Sequence, residues 1–224
     1  MIKPPLIGIT PVIPPVASSW QRIDTWLARH APARLAELAP PASPHAVDQL
    51  EVALGVCLPT DLRASLLCHD GDSSYLGILP CGPLYSTDAI ADVRQRRMKI
   101  WEGEDDPDEQ ETPWWGTQWI PFAGGDGDEH FIDAGPGLWH DHLGRAPHAD
   151  YAYFLGWPSL GTWLHEVAEA MEHHDRTDWL DSVAHPSVDD DGEIDWLALS
   201  SPVGRTRIGM FGSIWHPASN DVSH

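Results

Sequence analysis

Positive charge is what this chain has least of. Thirteen Lys and Arg stand against 34 Asp and Glu, a formal net charge of −21 over 224 residues. Nucleic acids and anionic membranes are held by Lys and Arg at phosphates, so neither is an expected partner. A basic protein is what such a charge attracts and steers. Cysteine is scarce as well: Cys57, Cys68 and Cys81 form no CxxC pair and leave an odd number. That fits free thiols in a cytoplasmic setting and excludes a disulfide framework. Cys57 and Cys68 lie among apolar residues and are expected to be buried. No run approaches the roughly 18 apolar residues of a membrane span. The N-terminal MIKPPLIGITPVIPPV is too broken by proline to serve as a signal peptide.

Signatures of several enzyme classes are missing too: no GxSxG elbow, no Walker-type phosphate loop, no HExxH helix. Asp126, Asp128 and Glu129 in GDGDEHFID resemble part of a calcium loop, but residue 130 is His and no glutamate closes a twelve-residue loop. The acids and glycines are accounted for by a backbone turn. His140 and His142 in WHDH would share a face on a strand, a usable spacing for two zinc ligands, with Asp126 or His148 as a third. The expectation is no catalytic residue, no cofactor and no metal. The competing enzymatic reading is a metal-dependent hydrolase built on Asp126, His140 and His142.

What the chain has in excess is tryptophan, twelve in all. Trp20, Ile23 and Leu27 share a helical stripe behind Ser18 or Ser19 as cap. Val47, Leu50 and Leu54 repeat the spacing in a second helix closed by Gly55, and LPTDLRASLLCHDG gives a third with Thr60 or Asp61 as cap and Leu62 and Leu66 inward. YLGILPCGPLY predicts short strands with tight turns. Ser86 or Thr87 starts a helix with Ile90 and Val93 inward, followed by the acidic run EGEDDPDEQE at 102–111, whose plain reading is a solvated loop. Trp119-Ile-Pro-Phe, a Gly-Asp turn and His130-Phe-Ile-Asp predict a hairpin with a loop longer than two residues. Short segments around 138–143 and 151–155 follow. The helix in PSLGTWLHEVAEAMEHH then buries Leu160, Trp163, Leu164, Val167, Ala168 and Met171. Late strands are expected after residue 175. Helices first, antiparallel strands next and a closing helix make an α+β domain.

Trp20, Trp119 and Trp163 fall on inward faces. Trp114 and Trp115 cannot both point inward if they are extended, because neighbours on a strand alternate sides. One of them is expected beside the acidic run as an exposed ring of the kind that anchors protein interfaces. Covering an edge or a second layer is the alternative.

The segments WQRIDTWLARHAP, AVDQLEVALGVCLPTDLRASLLCHDG, WWGTQWIPFAGGDGDEHFIDAGPG and SLGTWLHEVAEAM together resemble the SMI1/KNR4 family, or SUKH superfamily. The resemblance runs over about 18–171. It implies an α+β fold with N-terminal helices and a closing helix packed on a curved, mostly antiparallel sheet. The expected organisation is an extended lead-in at 1–17, the domain at 18–175, and a C-terminal extension at 176–224 that is free to pack on it. The family has no catalytic residues to carry over. Its bacterial members imply an immunity protein neutralising a cognate, basic toxin; its fungal members imply a regulatory scaffold or adaptor in cell-wall synthesis or stress signalling. Glu104, Asp105, Asp106, Asp108 and Glu109, with Trp114 or Trp115 as anchor, are the expected partner-binding residues.

Overall fold

A computed structural model describes residues 13–103, 114–148, 150–173, 185–198, 206–207 and 216–217. Five helices come first: α1 (Val16–His30), α2 (Pro32–Leu35), α3 (Pro44–Leu54), α4 (Thr60–Leu66) and α5 (Thr87–Trp101). Strands β1 (Trp119–Gly125), β2 (Asp128–Asp133), β3 (Leu143–Ala146) and β4 (Tyr153–Phe154) lead to α6 (Leu160–Glu172). Four short strands follow: β5 (His185–Val188), β6 (Ile194–Ala198), β7 (Thr206–Arg207) and β8 (His216–Pro217). The fold is α+β, with antiparallel sheets ordered β1-β2-β3-β4-β8 and β5-β6-β7.

Local chemistry sets most helix ends. Ser43, Ser86 and Ser159 each accept a hydrogen bond from a backbone amide three residues on, starting α3, α5 and α6. Gly55 closes α3 at φ 69°. Two expected caps are displaced. The first helix begins at Val16 behind Pro15, so Ser19 lies inside it and is buried. The fourth begins behind Pro59, and Asp61 instead accepts from the Gly161 amide (2.9 Å), in the first turn of α6. A carboxylate there complements the positive end of the helix dipole. Across the helices, Trp20 Nε1 donates to Ser65 Oγ at 2.9 Å, tying α1 to α4.

The segment YLGILPCGPLY forms no strand. Two glycines and two prolines in eleven residues break any ladder, and only a single bridge, Leu84 to Ala123, joins it to the sheet. Ile78, Leu79 and Cys81 are buried nonetheless. Cys57, expected inside, is exposed just past the end of α3, and Cys68 is half-buried.

The hairpin is tighter than its sequence suggested. Asp126 (φ 54°) and Gly127 (φ 87°) make a two-residue turn, the positive-φ pair that matches the twist of a hairpin. A bulge at Phe122, between the pairs Pro121–Phe131 and Ala123–His130, absorbs the extra residue and keeps the ladder going to Gly125–Asp128. Both faces of this sheet are covered. Ile120, Phe122, Ile132 and Leu143 join the aliphatic core with α1, α3, α4 and α6. Trp119, Phe131 and Phe154 turn the other way and form a second core with Trp115. Trp119 and Phe131 stack with centroids 3.9 Å apart, and Trp115 meets Trp119 edge-on at 5.9 Å.

Part of the C-terminal extension lies on the domain. Trp196 Nε1 donates to the Ile78 carbonyl at 3.0 Å, Arg34 pairs with Glu193 at 3.4 Å, and Val188 and Ile194 pack on the main core.

Candidate interaction site

Arg97 is the residue around which a surface cleft is organised. It follows Ile90 and Val93 on the inward stripe of α5, at helical spacings of three and seven, so the fold buries a guanidinium where an apolar group would be expected. Its charge is answered from several sides. Glu129 lies at 3.5 Å, the Gly127 carbonyl accepts from it, and the rings of Trp114 and Trp115 stand 5.9 and 5.5 Å from its carbon. Glu129 also accepts from the Tyr85 hydroxyl, whose ionisation is pushed up by burial and by that carboxylate.

Above Arg97 opens a cleft of about 480 Å³. One wall is Ile100 at the end of α5. Another is Trp114, where the described chain resumes. The third is the β3–β4 connection, through Pro147, His148, Asp150 and Tyr151. Ile100 is 54% exposed and Tyr151 61%. The connection is held by Asp128, which accepts from Arg145 (2.6 Å) and from the His148 amide (2.7 Å). Burial opposes the charge on Asp128, but those donors outweigh it and hold its carboxyl below the usual range.

The sequence-predicted residues are distributed unevenly around this cleft. Trp114 lines it and is half-buried. Trp115 does not: it is fully enclosed against Trp119 and Phe131 and cannot serve as an anchor. The two rings do part, one enclosed and one half-buried at the cleft, but through a bend at 114–115 and not by strand alternation. Glu104, Asp105, Asp106, Asp108 and Glu109 lie outside the described residues.

The hydrolase ligands are not brought together. Asp126 is at the β1–β2 turn, whereas His140 and His142 lie beyond the other end of β2, on the order of 15 Å away at strand spacing. WHDH is a turn, so the expected shared strand face does not exist. The His140 Nδ1–H donates to the Gly135 carbonyl and the His142 Nδ1–H to the His140 carbonyl. Among the described residues, ligand-like spacing occurs instead at Glu169, Glu172 and His173. There Arg22 already binds both carboxylates, each at 2.5 Å, and joins α1 to α6.

Buried groups with catalytic potential are quiet. Burial drives the Cys81 thiol well up, and it holds the His130 imidazole down to about 3, with Arg145 adding to the effect. Among the described residues the cleft walls carry no Ser, Thr or Cys; they offer ring faces, aliphatic surface, one guanidinium, one imidazole and one carboxylate.

A sequence profile of the SMI1 / KNR4 family (SUKH-1) matches residues 41–166, more than half of the chain. The chain belongs to that family. The SMI1 / KNR4 match begins just before α3 and ends inside α6, so it contains the second core and the whole cleft, whereas α1 and the end of α6, which complete the first core, lie outside it. A Neurospora crassa protein named "Glucan synthesis regulatory protein" is 40% identical over 72 residues, 32% of this chain and 13% of that protein. The Schizosaccharomyces pombe "Cell wall biosynthesis/cell cycle regulator smi1" is 38% identical over 96 residues, 42% of this chain and 18% of that protein. A "KNR4/SMI1 homolog" of Yarrowia lipolytica is 42% identical over 65 residues, 29% of this chain and 9% of that protein. The matches therefore span less than a fifth of these relatives. Among the described residues no helix is long and apolar enough to cross a membrane.

Proposed function

We propose that this SMI1 / KNR4 member is a non-enzymatic protein-binding module, acting as a regulatory adaptor in the control of cell-wall synthesis. The observation that carries the binding role is the cleft of about 480 Å³, walled by Ile100, Trp114 and Tyr151. Large amphipathic rings on a rigid base are the side chains that anchor protein interfaces. The regulatory part is supported by the names of the relatives, a glucan synthesis regulator and a cell-wall and cell-cycle regulator.

The test is affinity purification of the full chain beside Trp114→Ala and Tyr151→Ala. Several proteins of wall synthesis should be recovered with the parent and lost with both variants. Recovery unchanged by either variant would remove the cleft from the proposal. A second reading, an immunity protein that occludes a basic toxin, is favoured by the net charge of −21. Its outcome in the same experiment is one stoichiometric basic partner and no wall-synthesis proteins.

A further inference from the structure

We infer that the cleft seats a short basic segment of a partner protein, with one Arg or Lys side chain laid between Trp114 and Tyr151. This rests on the protein-binding reading above and adds the chemistry of the ligand.

The first argument is the shape and material of the walls. Trp114 and Tyr151 provide ring faces, and Ile100 and Pro147 provide aliphatic surface beside them. A long cationic side chain matches both: its methylene stem covers the aliphatic wall while its charged head meets a ring quadrupole. Arg97 uses the same interaction from below, with its charge over Trp114.

The second argument is charge. The one cation of Lys or Arg type in the lining, Arg97, is already paired with Glu129 and bonded to the Gly127 carbonyl, so it offers little to an anionic ligand. Asp150 stands at the rim, and among the described residues no cationic group lies within 4.0 Å of it. Ile100 and Trp114 also bracket, in sequence, the run EGEDDPDEQE, which has seven acids and no Lys or Arg. On a chain of net −21, a phosphorylated or acidic segment is repelled and a basic one is drawn in.

The experiment is selection of a random peptide library on the full chain and, in parallel, on Trp114→Ala, Tyr151→Ala and Asp150→Asn. Near-UV circular dichroism confirms that each variant keeps its aromatic core. Peptides enriched on the parent should carry Lys or Arg at a fixed position and weaken about tenfold on Trp114→Ala or Tyr151→Ala. Asp150→Asn should weaken them about threefold, and high salt should weaken them on the parent. Tyr151 is mostly exposed, so its variant tests the site even if Trp114→Ala fails to fold. Enrichment of acidic or purely apolar peptides that depends on Trp114 and Tyr151 overturns the basic ligand while leaving a protein-binding cleft in place. Peptides indifferent to all three variants, or no enrichment on the parent, overturn the cleft as a binding site and the reading beneath it.

Discussion

The two faces of the β1–β2 hairpin are both buried, but by different means. Toward the helices, Ile120, Ile132 and Leu143 enter a mainly aliphatic core, with Trp20, Phe122 and Trp163 among its members, that draws on α1, α3, α4 and α6. Away from them, Trp119, Phe131 and Phe154 are closed over by Trp115, with Trp139 and the C-terminal end of α5 at the margin. The first core is large and supported by many elements. The second is small, made of rings, and has few places to relax. A close-packed ring cluster should tolerate added volume less well than the aliphatic side.

Gly144 gives the sharpest break. A Cβ there would lie 2.1 Å from Phe131 Cζ, and that ring is pinned by its stack on Trp119. Gly144→Val should cost at least about 3 kcal/mol, enough to remove the near-UV aromatic signal and unfold much of the population. Gly125, at the exposed end of β1, has nothing within 4 Å of its Cβ position. Gly125→Ala should stay within about 0.5 kcal/mol of the parent in a denaturant titration. Equal losses in the two variants would mean that the Phe131 ring yields to added volume at Gly144.

Next comes Trp115, the centre of the ring cluster. Trp115→Ala should cost about 3–5 kcal/mol by urea denaturation, the usual range for emptying a buried aromatic site. Its indole N–H meets no acceptor among the described residues. Trp115→Phe should therefore cost much less, about 1–2 kcal/mol, through lost volume alone. A large loss for Phe would show that the N–H has a partner in solution.

How much of this was legible beforehand depends on whether the signal was local. Ser43 with Gly55, and Ser86 with Ile90 and Val93, announced their helices because caps and stripes are written within one or two turns. The hairpin was legible for the same reason, although its loop length was not: a bulge at Phe122 leaves no local mark in Trp-Ile-Pro-Phe. The strands read into residues 75–85 failed because short apolar runs look alike whether they pair or merely pack. The tryptophans left a second layer open as an alternative to an exposed anchor, and Trp115 with Trp119 builds that layer. The cleft was least legible of all, since its walls come from Arg97 and Ile100, from Trp114, and from Pro147, His148, Asp150 and Tyr151. One clue was present: Arg97 continues the stripe of Ile90 and Val93, and a cation on an inward stripe must find partners.

The histidines extend the comparison to pH. His130, beside the aliphatic face, is held neutral, with its folded value near 3 against an ordinary 6.5. Between those values the unfolded chain takes up a proton that the folded chain refuses, so stability falls as pH drops below about 6.5. His69 behaves oppositely. Burial disfavours its charge, but Asp24 and the Ala39 carbonyl, one at each ring nitrogen, outweigh that and raise its value. Both partners are acceptors when Asp24 is ionised, so the doubly protonated ring fits best. Its contribution is complete below 6.5 and is lost as pH rises through the raised folded value. His69→Ala should cost about 1–2 kcal/mol at pH near 6 and less at pH near 8, whereas His130→Gln should flatten the acid limb of the stability profile. Parallel profiles for parent and variant would sink either assignment.

The smallest effect is expected where the structure looks strongest on paper. Arg22 reaches both Glu169 and Glu172 at 2.5 Å and spans 147 and 150 residues of sequence to do so. All three side chains are a quarter to a third exposed, so water and salt screen the attraction, and ordering three long side chains costs entropy. The helices α1 and α6 also share the main apolar core, to which α1 gives Trp20 and Ile23 and α6 gives Trp163 and Val167, and that burial does not depend on the ion pairs. Arg22→Ala should therefore cost about 1 kcal/mol or less, and high salt should remove most of the difference from the parent. A loss approaching that of Trp115→Ala, insensitive to salt, would show that the polar bridge and not the apolar seam holds the two helices together.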